Sequence, residues 1–199
     1  MLRNTFPRVP MATDSGFTLV EFAVTSVIGV VATLLVSSVM INSINVEAQV
    51  RNVTSANAIG QVAYKSLDNS GRNSMSMAVT SVGSDLLLRA VTIGSGTTAA
   101  WGCAAWFYSA TDKTLRYKAS SSAIAAPTST ASQRSWTLLS KNVSAVTGSP
   151  VFSIATNGAG GQTLTSTFRI SSQGTAAPTF KVVTSNRVMS TAEGVPACF

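Results

Sequence analysis

The chain contains no histidine. That absence removes the commonest general base, the usual zinc ligand and every serine–histidine or cysteine–histidine nucleophile pair. Charge is also scarce, at 11% of residues. The carboxylates are Asp14, Glu21, Glu47, Asp68, Asp85, Asp112 and Glu193, and no two of them stand close enough in sequence to suggest a dyad. Phosphate-cradling loops are missing too. The glycine-rich run from Asn157 to Gly161 lacks the Lys-Ser/Thr ending of a nucleotide-binding loop and reads as a turn. With only two cysteines and no histidine, a closed four-ligand zinc site needs carboxylate help. The sequence therefore gives no reason to expect an enzyme, a cofactor or a metal centre.

Proline is the other informative absence. None occurs between Pro10 and Pro127, so nothing of that kind breaks a helix across the first half of the chain. The 20 residues from Phe22 to Ile41 carry no charge. At about 1.5 Å per residue, such a helix crosses a ~30 Å hydrocarbon core. Much of the positive mean hydropathy of +0.31 sits in this stretch. Arg3 and Arg8 precede it, which places the N-terminus in the cytoplasm and the remainder outside. Beyond the span, Val46, Val50 and Val53 recur at helical spacing, and Ile59, Val62 and Ala63 offer a second stripe. Asp68-Asn69-Ser70-Gly71 reads as a stop, with Gly71 available for a left-handed cap. A helix from Phe17 to about residue 69 exceeds what a small core needs, so half of it should protrude.

After Gly71 the period changes from helical to two. Gln162 to Ile170 alternates, with Leu164, Phe168 and Ile170 on one face, and Phe180, Val182 and Val188 keep that parity. Ala104 to Tyr108 and Leu115 to Lys118 read as a hairpin around residues 109–114. Leu86 to Ile93, Trp136 to Val146 and Val151 to Ala155 are further strands, and Ser120 to Gln133 is a loop. The expected fold is α+β: a long N-terminal helix, membrane-spanning in its first half over 22–41, packed by its second half on a C-terminal antiparallel sheet. Its parts are a leader (1–16), the helix (17–69) and a β-rich extracytoplasmic domain (70–199).

Gly16-Phe17-Thr18-Leu19-Val20-Glu21, set directly before the apolar run, resembles the cleavage and methylation motif of type IV prepilins and of the related pseudopilins of type II secretion. Glycine ends a basic leader, a hydrophobic residue follows, and glutamate is fifth in the mature chain. The resemblance covers about 30 residues; beyond it only the order of long helix and then sheet is similar. It implies cleavage by a prepilin peptidase between Gly16 and Phe17, N-methylation of Phe17, and a filament in which Glu21 pairs with the amine of a neighbouring subunit. Glycine before the cut lets a membrane peptidase approach the backbone. A glutamate at the edge of an apolar span is costly and reads as functional. The precursor is expected in the inner membrane, and the assembled subunit outside it. The sequence departs from the family in Asp14, which dilutes the basic leader, and in Ser38, where many members carry proline.

Two plainer readings stand beside this one. Phe17 to Ile44 also reads as a simple signal-anchor, with Glu21 at its edge reaching the headgroups, but this is the lesser reading. Val46-Glu47-Ala48 loosely resembles a secretory cleavage site, although the apolar run is longer than the usual secretory core. Cys103 and Cys198 both fall on the expected oxidising side, which suggests a disulfide, and C-terminal closure of that kind is common in the family the chain resembles. Trp101, Trp106, Phe107, Tyr108 and Tyr117 lie near Lys113, Arg116 and Lys118. Such a set can clasp single-stranded DNA, but sheet core beside a solvated hairpin is the primary reading. The function expected is a structural subunit, minor in abundance, of a type IV pilus or related filament. A secretion pseudopilin or a DNA-binding uptake pilin are the alternatives.

Overall fold

The computed structural model describes residues 16, 18–93, 101–157, 160–172, 177–186 and 197–199. Phe17, the leader residues Arg3, Arg8 and Asp14, and Val188 and Glu193 lie outside the described residues. The chain separates into two compact units, residues 1–47 and 48–199. In the first unit the described structure is a helix, α1, which begins at Leu19 and ends in the second unit at Arg72. Every α1 residue from Leu19 to Arg51 is exposed.

In the second unit α1 meets two antiparallel sheets. The first has five strands in sequence order: β1 (Ser74–Val82), β2 (Asp85–Ile93), β3 (Trp101–Ser109), β4 (Thr114–Ser120) and β5 (Thr137–Lys141). A short helix, α2 (Thr130–Arg134), precedes β5 and is capped by Ser129, whose hydroxyl accepts from the Ser132 N–H. The second sheet centres on β8 (Gln162–Ile170). It pairs with β6 (Val143–Ala145), β7 (Phe152–Thr156) and β9 (Thr179–Ser185). Because β9 runs along nearly all of β8, β6 and β7 share the opposite edge.

One apolar cluster joins helix and sheets. Ala56, Ala63 and Leu67 of α1 pack with Leu88, Ala104, Trp106 and Leu115 of the first sheet and with Phe152, Leu164, Phe168 and Val182 of the second. Each large side chain fully removed from water contributes roughly 1.5–3 kcal/mol. The α+β expectation of helix followed by antiparallel sheet holds. The strand over Gln162–Ile170 is present with those bounds, and those over Leu86–Ile93, Ala104–Tyr108, Leu115–Lys118 and Val151–Ala155 are present with ends that differ by no more than three residues.

Four details differ from the sequence expectation. First, α1 does not stop near residue 69, and Gly71 is not a left-handed cap, since it is absent from the positive-φ residues. Gly71 is buried against Thr184, and a Cβ there would collide with the threonine methyl. Second, the buried helix stripe is Ala56, Gly60, Ala63, Leu67 and Gly71, while Val46, Val50, Ile59 and Val62 face outward. Third, the run Trp136 to Val146 is not one strand. Asn142, at φ 57°, breaks it, leaving β5 in the first sheet and β6 in the second. Fourth, β1 and the 120–133 segment hold structure that no periodicity announced.

The free edge of β1 is covered by side-chain amides. Gln162 Oε1 accepts from the Met77 N–H at 2.6 Å while Gln162 Nε2 donates to the Met77 carbonyl at 2.9 Å. Asn186 Nδ2 donates to the Met75 carbonyl at 2.7 Å. These groups substitute for a sixth strand, tie the two sheets together and remove an edge otherwise open to aggregation.

Candidate functional site

The start of α1 carries the residues that the sequence singled out. Gly16 is exposed, and nothing lies within 4 Å of where a Cβ would stand, so its backbone is open to approach. Thr18 is the N-cap. Its hydroxyl accepts from the Glu21 N–H at 3.3 Å, and its carbonyl accepts the first helical bond from the Phe22 N–H at 3.1 Å. Glu21 is therefore the third helical residue, and its exposed carboxylate meets the positive end of the helix dipole. The Thr-x-x-Glu spacing of a capping box is the sequence signal for Thr18, and it lies inside the longer Gly16-to-Glu21 pattern. Gly16, Thr18 and Glu21 sit within about one turn.

From Phe22 to Val46 the helix has no charge, and Glu21 and Glu47 bracket that stretch. Its mean hydropathy reaches 2.3 over an 18-residue window, with none of the window buried, so α1 is long and apolar enough to span a membrane. Five hydroxyls in the stretch bond the helix's own carbonyls: Thr25 to Glu21, Ser26 to Ala23, Thr33 to Gly29, Ser37 to Thr33 and Ser38 to Leu35. This makes the polar side chains compatible with lipid, where an unsatisfied group is expensive. Ser38 is one of them, and the helix runs unbroken through it.

Cys103 of β3 and Cys198 are joined by a disulfide, with a Cα–Cα distance of 5.5 Å. Both are buried within a second apolar cluster on the face of the first sheet turned away from α1, together with Leu87, Phe107, Ile124 and Trp136. The bridge thus pins the penultimate residue over a layer made of sheet and loop. Compared with protein-family models, with curated proteins and with solved structures, the chain has no match.

The aromatic set near the β3–β4 hairpin divides. Trp106, Phe107 and Tyr108 are buried, whereas Trp101 and Tyr117 are half-buried. Trp106 lies 5.2 Å from Tyr117, centroid to centroid, and donates through Nε1 to Ser66 Oγ on α1 at 3.0 Å. These are contacts of a packed core. Burial pushes the Tyr108 and Tyr117 phenols above their ordinary value, with a hydrogen bond to the Ala145 backbone opposing the shift at Tyr108. Both therefore stay neutral at physiological pH. The described carboxylates of the second unit are spread out: Asp68 pairs with Arg72 at 2.9 Å, Asp85 accepts from the Ala110 N–H at 2.8 Å, and Asp112 lies in the β3–β4 turn.

Proposed function

We propose that the chain is a type IV prepilin-like subunit. It is cut between Gly16 and Phe17 by a prepilin peptidase and methylated on the new Phe17 amine. It is held in the inner membrane by α1 with its N-terminus in the cytoplasm, and it is then packed through α1 into a pilus or related filament. The observation that carries this reading is a coincidence of position: the Gly16-to-Glu21 motif stands at the first turn of a long apolar helix whose side chains are all exposed there. A simple anchor accounts for the span and, through the helix dipole, for a first-turn acid. It does not account for an open glycine five residues before that acid.

Cleavage frees an amine about one turn from Glu21. In a filament, the carboxylate meets the amine of a neighbouring subunit in a water-poor core, where an unpaired charge is far worse than a paired one. Ile59 and Val62, exposed on α1 within the second unit, suit lateral packing between copies.

Two variants separate the steps. Glu21→Ala should insert and be processed, because removing a charge makes the span more apolar and the peptidase acts at Gly16. Its incorporation into filaments should fall by more than about a hundredfold. Gly16→Val should accumulate as precursor with its leader attached. N-terminal mass spectrometry of wild-type membranes should find a chain starting at Phe17 and keeping 183 of the 199 residues. A start at Met1 points to the simple anchor and a start at Gln49 to a secretory signal, and either overturns the proposal. Wild-type incorporation of Glu21→Ala removes the pairing role alone.

A further inference from the structure

The face of the first sheet that meets α1 tapers along its strands. One row across β2, β3 and β4 carries Leu88, Trp106 and Tyr117. The next carries Ala90, Ala104 and Ala119, and the row after that begins with Thr92 and Gly102. Leu88, Ala90, Ala104 and Trp106 belong to the cluster on which α1 packs, which makes these the helix-facing rows. Side-chain volume therefore falls toward Thr92, and the sheet no longer fills the space beside the end of α1. A wedge-shaped cleft of about 760 Å³ results, with Asn69, Ser70 and Asn73 on one wall and the small residues Thr92, Gly102 and Ala119 on its floor. That volume lies within the roughly 300–1,000 Å³ of small-molecule sites. Ala119 is exposed although it stands on a helix-facing row, so the floor is open to solvent.

The chemistry of the walls narrows the occupant. Among the described residues no charged side chain lines the cleft. Asn69, Ser70, Asn73, Thr92, Tyr117 and Ser121 all line it, and among the described residues the side chain of none of them has a hydrogen-bond partner. The Tyr117 ring is half-buried, 5.2 Å from that of Trp106, and Ile93 and Trp101 supply further apolar lining. An ionic ligand entering here gives up hydration and finds no counter-charge. A wholly apolar ligand covers the polar groups and leaves them without partners. The ligand that fits carries several neutral donors and acceptors around an apolar face.

We propose that this cleft binds a neutral oligosaccharide. Sugar hydroxyls both donate and accept, which matches the Asn69 and Asn73 carboxamides, each with an N–H and a carbonyl to offer. The C–H face of a pyranose ring suits an aromatic ring with a polar tip, as Tyr117 has. A peptide also offers neutral hydrogen bonds, but it docks on a sheet by extending a free strand edge. The floor strands β2 and β3 are each paired on both sides. The cleft lies wholly within residues 48–199, apart from Gly16 and Glu21, and does not depend on the filament reading.

The test uses the full chain in a polyoxyethylene detergent, whose headgroup has no sugar ring. The probes are the neutral pentasaccharides of glucose, of mannose and of N-acetylglucosamine. Saturation-transfer NMR should show at least one of them bound, and calorimetry then gives its Kd. Asn69→Ala and Asn73→Ala together should weaken that binding by roughly tenfold, the loss of two hydrogen bonds. Ala119→Leu, which adds bulk to the floor, should abolish it. Gln61→Ala, exposed on α1 away from the cleft, should change nothing. The substituted cleft positions are all exposed, so the variants keep the buried core intact. Absence of transfer to every probe at about 10 mM overturns the proposal, as does wild-type affinity in both cleft variants. An uncharged pentapeptide of alanine, serine and glycine with blocked ends serves as competitor. If it displaces the sugar at lower concentration than the free sugar does, the cleft is a peptide site and the saccharide assignment falls.

Discussion

The same helix is built by two different rules along its length. From Leu19 to Val50 every side chain is exposed, large aliphatics dominate, and the hydroxyls bond back to their own carbonyls. From Ala56 to Gly71 the buried positions are Ala, Gly, Ala, Leu and Gly, spaced by three or four. In lipid, apolar bulk gains from facing outward and backbone groups must be satisfied within the helix. Against the sheets, the bulk comes from Trp106, Phe168 and Phe180, so the helix contributes small residues and close approach. Apart from Leu67, the large aliphatic residues therefore point outward along both stretches, for different reasons.

The largest test of that contrast is the disulfide. Reduction, or Cys103→Ser, should act on the sheet-bearing unit and leave the first stretch of α1 helical. The closed loop spans 95 residues, for which chain entropy gives about 4.7 kcal/mol as a ceiling. The melting temperature read by tryptophan fluorescence should fall by up to roughly 10–20 °C. Far-UV dichroism in detergent should retain a helical signal after the tryptophan transition is complete. Loss of both signals together would show that the two stretches are not independent.

A smaller effect comes from one substitution made in each stretch. At Gly60 a Cβ collides with the Phe180 ring, which stacks on Phe168 at 5.4 Å. Gly60→Ala should destabilise by about 1–3 kcal/mol as that ring is forced out. At Gly29 nothing lies within 4 Å, and Gly29→Ala should leave the tryptophan melt unchanged while slightly favouring the helix. Equal effects at the two positions would erase the distinction between them.

This packing also explains what the sequence could and could not reveal. The apolar run and the strands of β2, β3, β4, β7 and β8 were legible because period and hydrophobicity agree there. The buried helix stripe was not, because four of its five residues are Ala or Gly, while Val46, Val50, Ile59 and Val62 face outward. β1 was missed because Ser-Met-Ser-Met has few of the β-branched residues that mark strands, and its edge is completed by Gln162 and Asn186 from far along the chain. The second sheet was missed because the switch rests on a single left-handed residue, Asn142. In the Gly16-to-Glu21 stretch, the capping role of Thr18 was hidden by the longer pattern of which it forms part.

The finest test compares one hydroxyl from each stretch. Ser66 lies on the part of α1 that packs on the sheets and accepts the indole N–H of Trp106, which is 1% exposed. Ser66→Ala leaves that donor buried without an acceptor, at a cost of about 1–3 kcal/mol. Ser37 lies in the apolar stretch and bonds only the Thr33 carbonyl of its own helix. Ser37→Ala removes donor and side-chain acceptor together and strands nothing, because that carbonyl keeps its place in the helical ladder. Alanine is also the better helix former. The expected result is a drop of several degrees in the tryptophan melt for Ser66→Ala and none for Ser37→Ala. A further comparison isolates the cause: Ser66→Thr keeps an acceptor and should recover most of the loss. If Ser66→Thr melts as low as Ser66→Ala, the cost lies in packing around residue 66 and not in the unsatisfied indole.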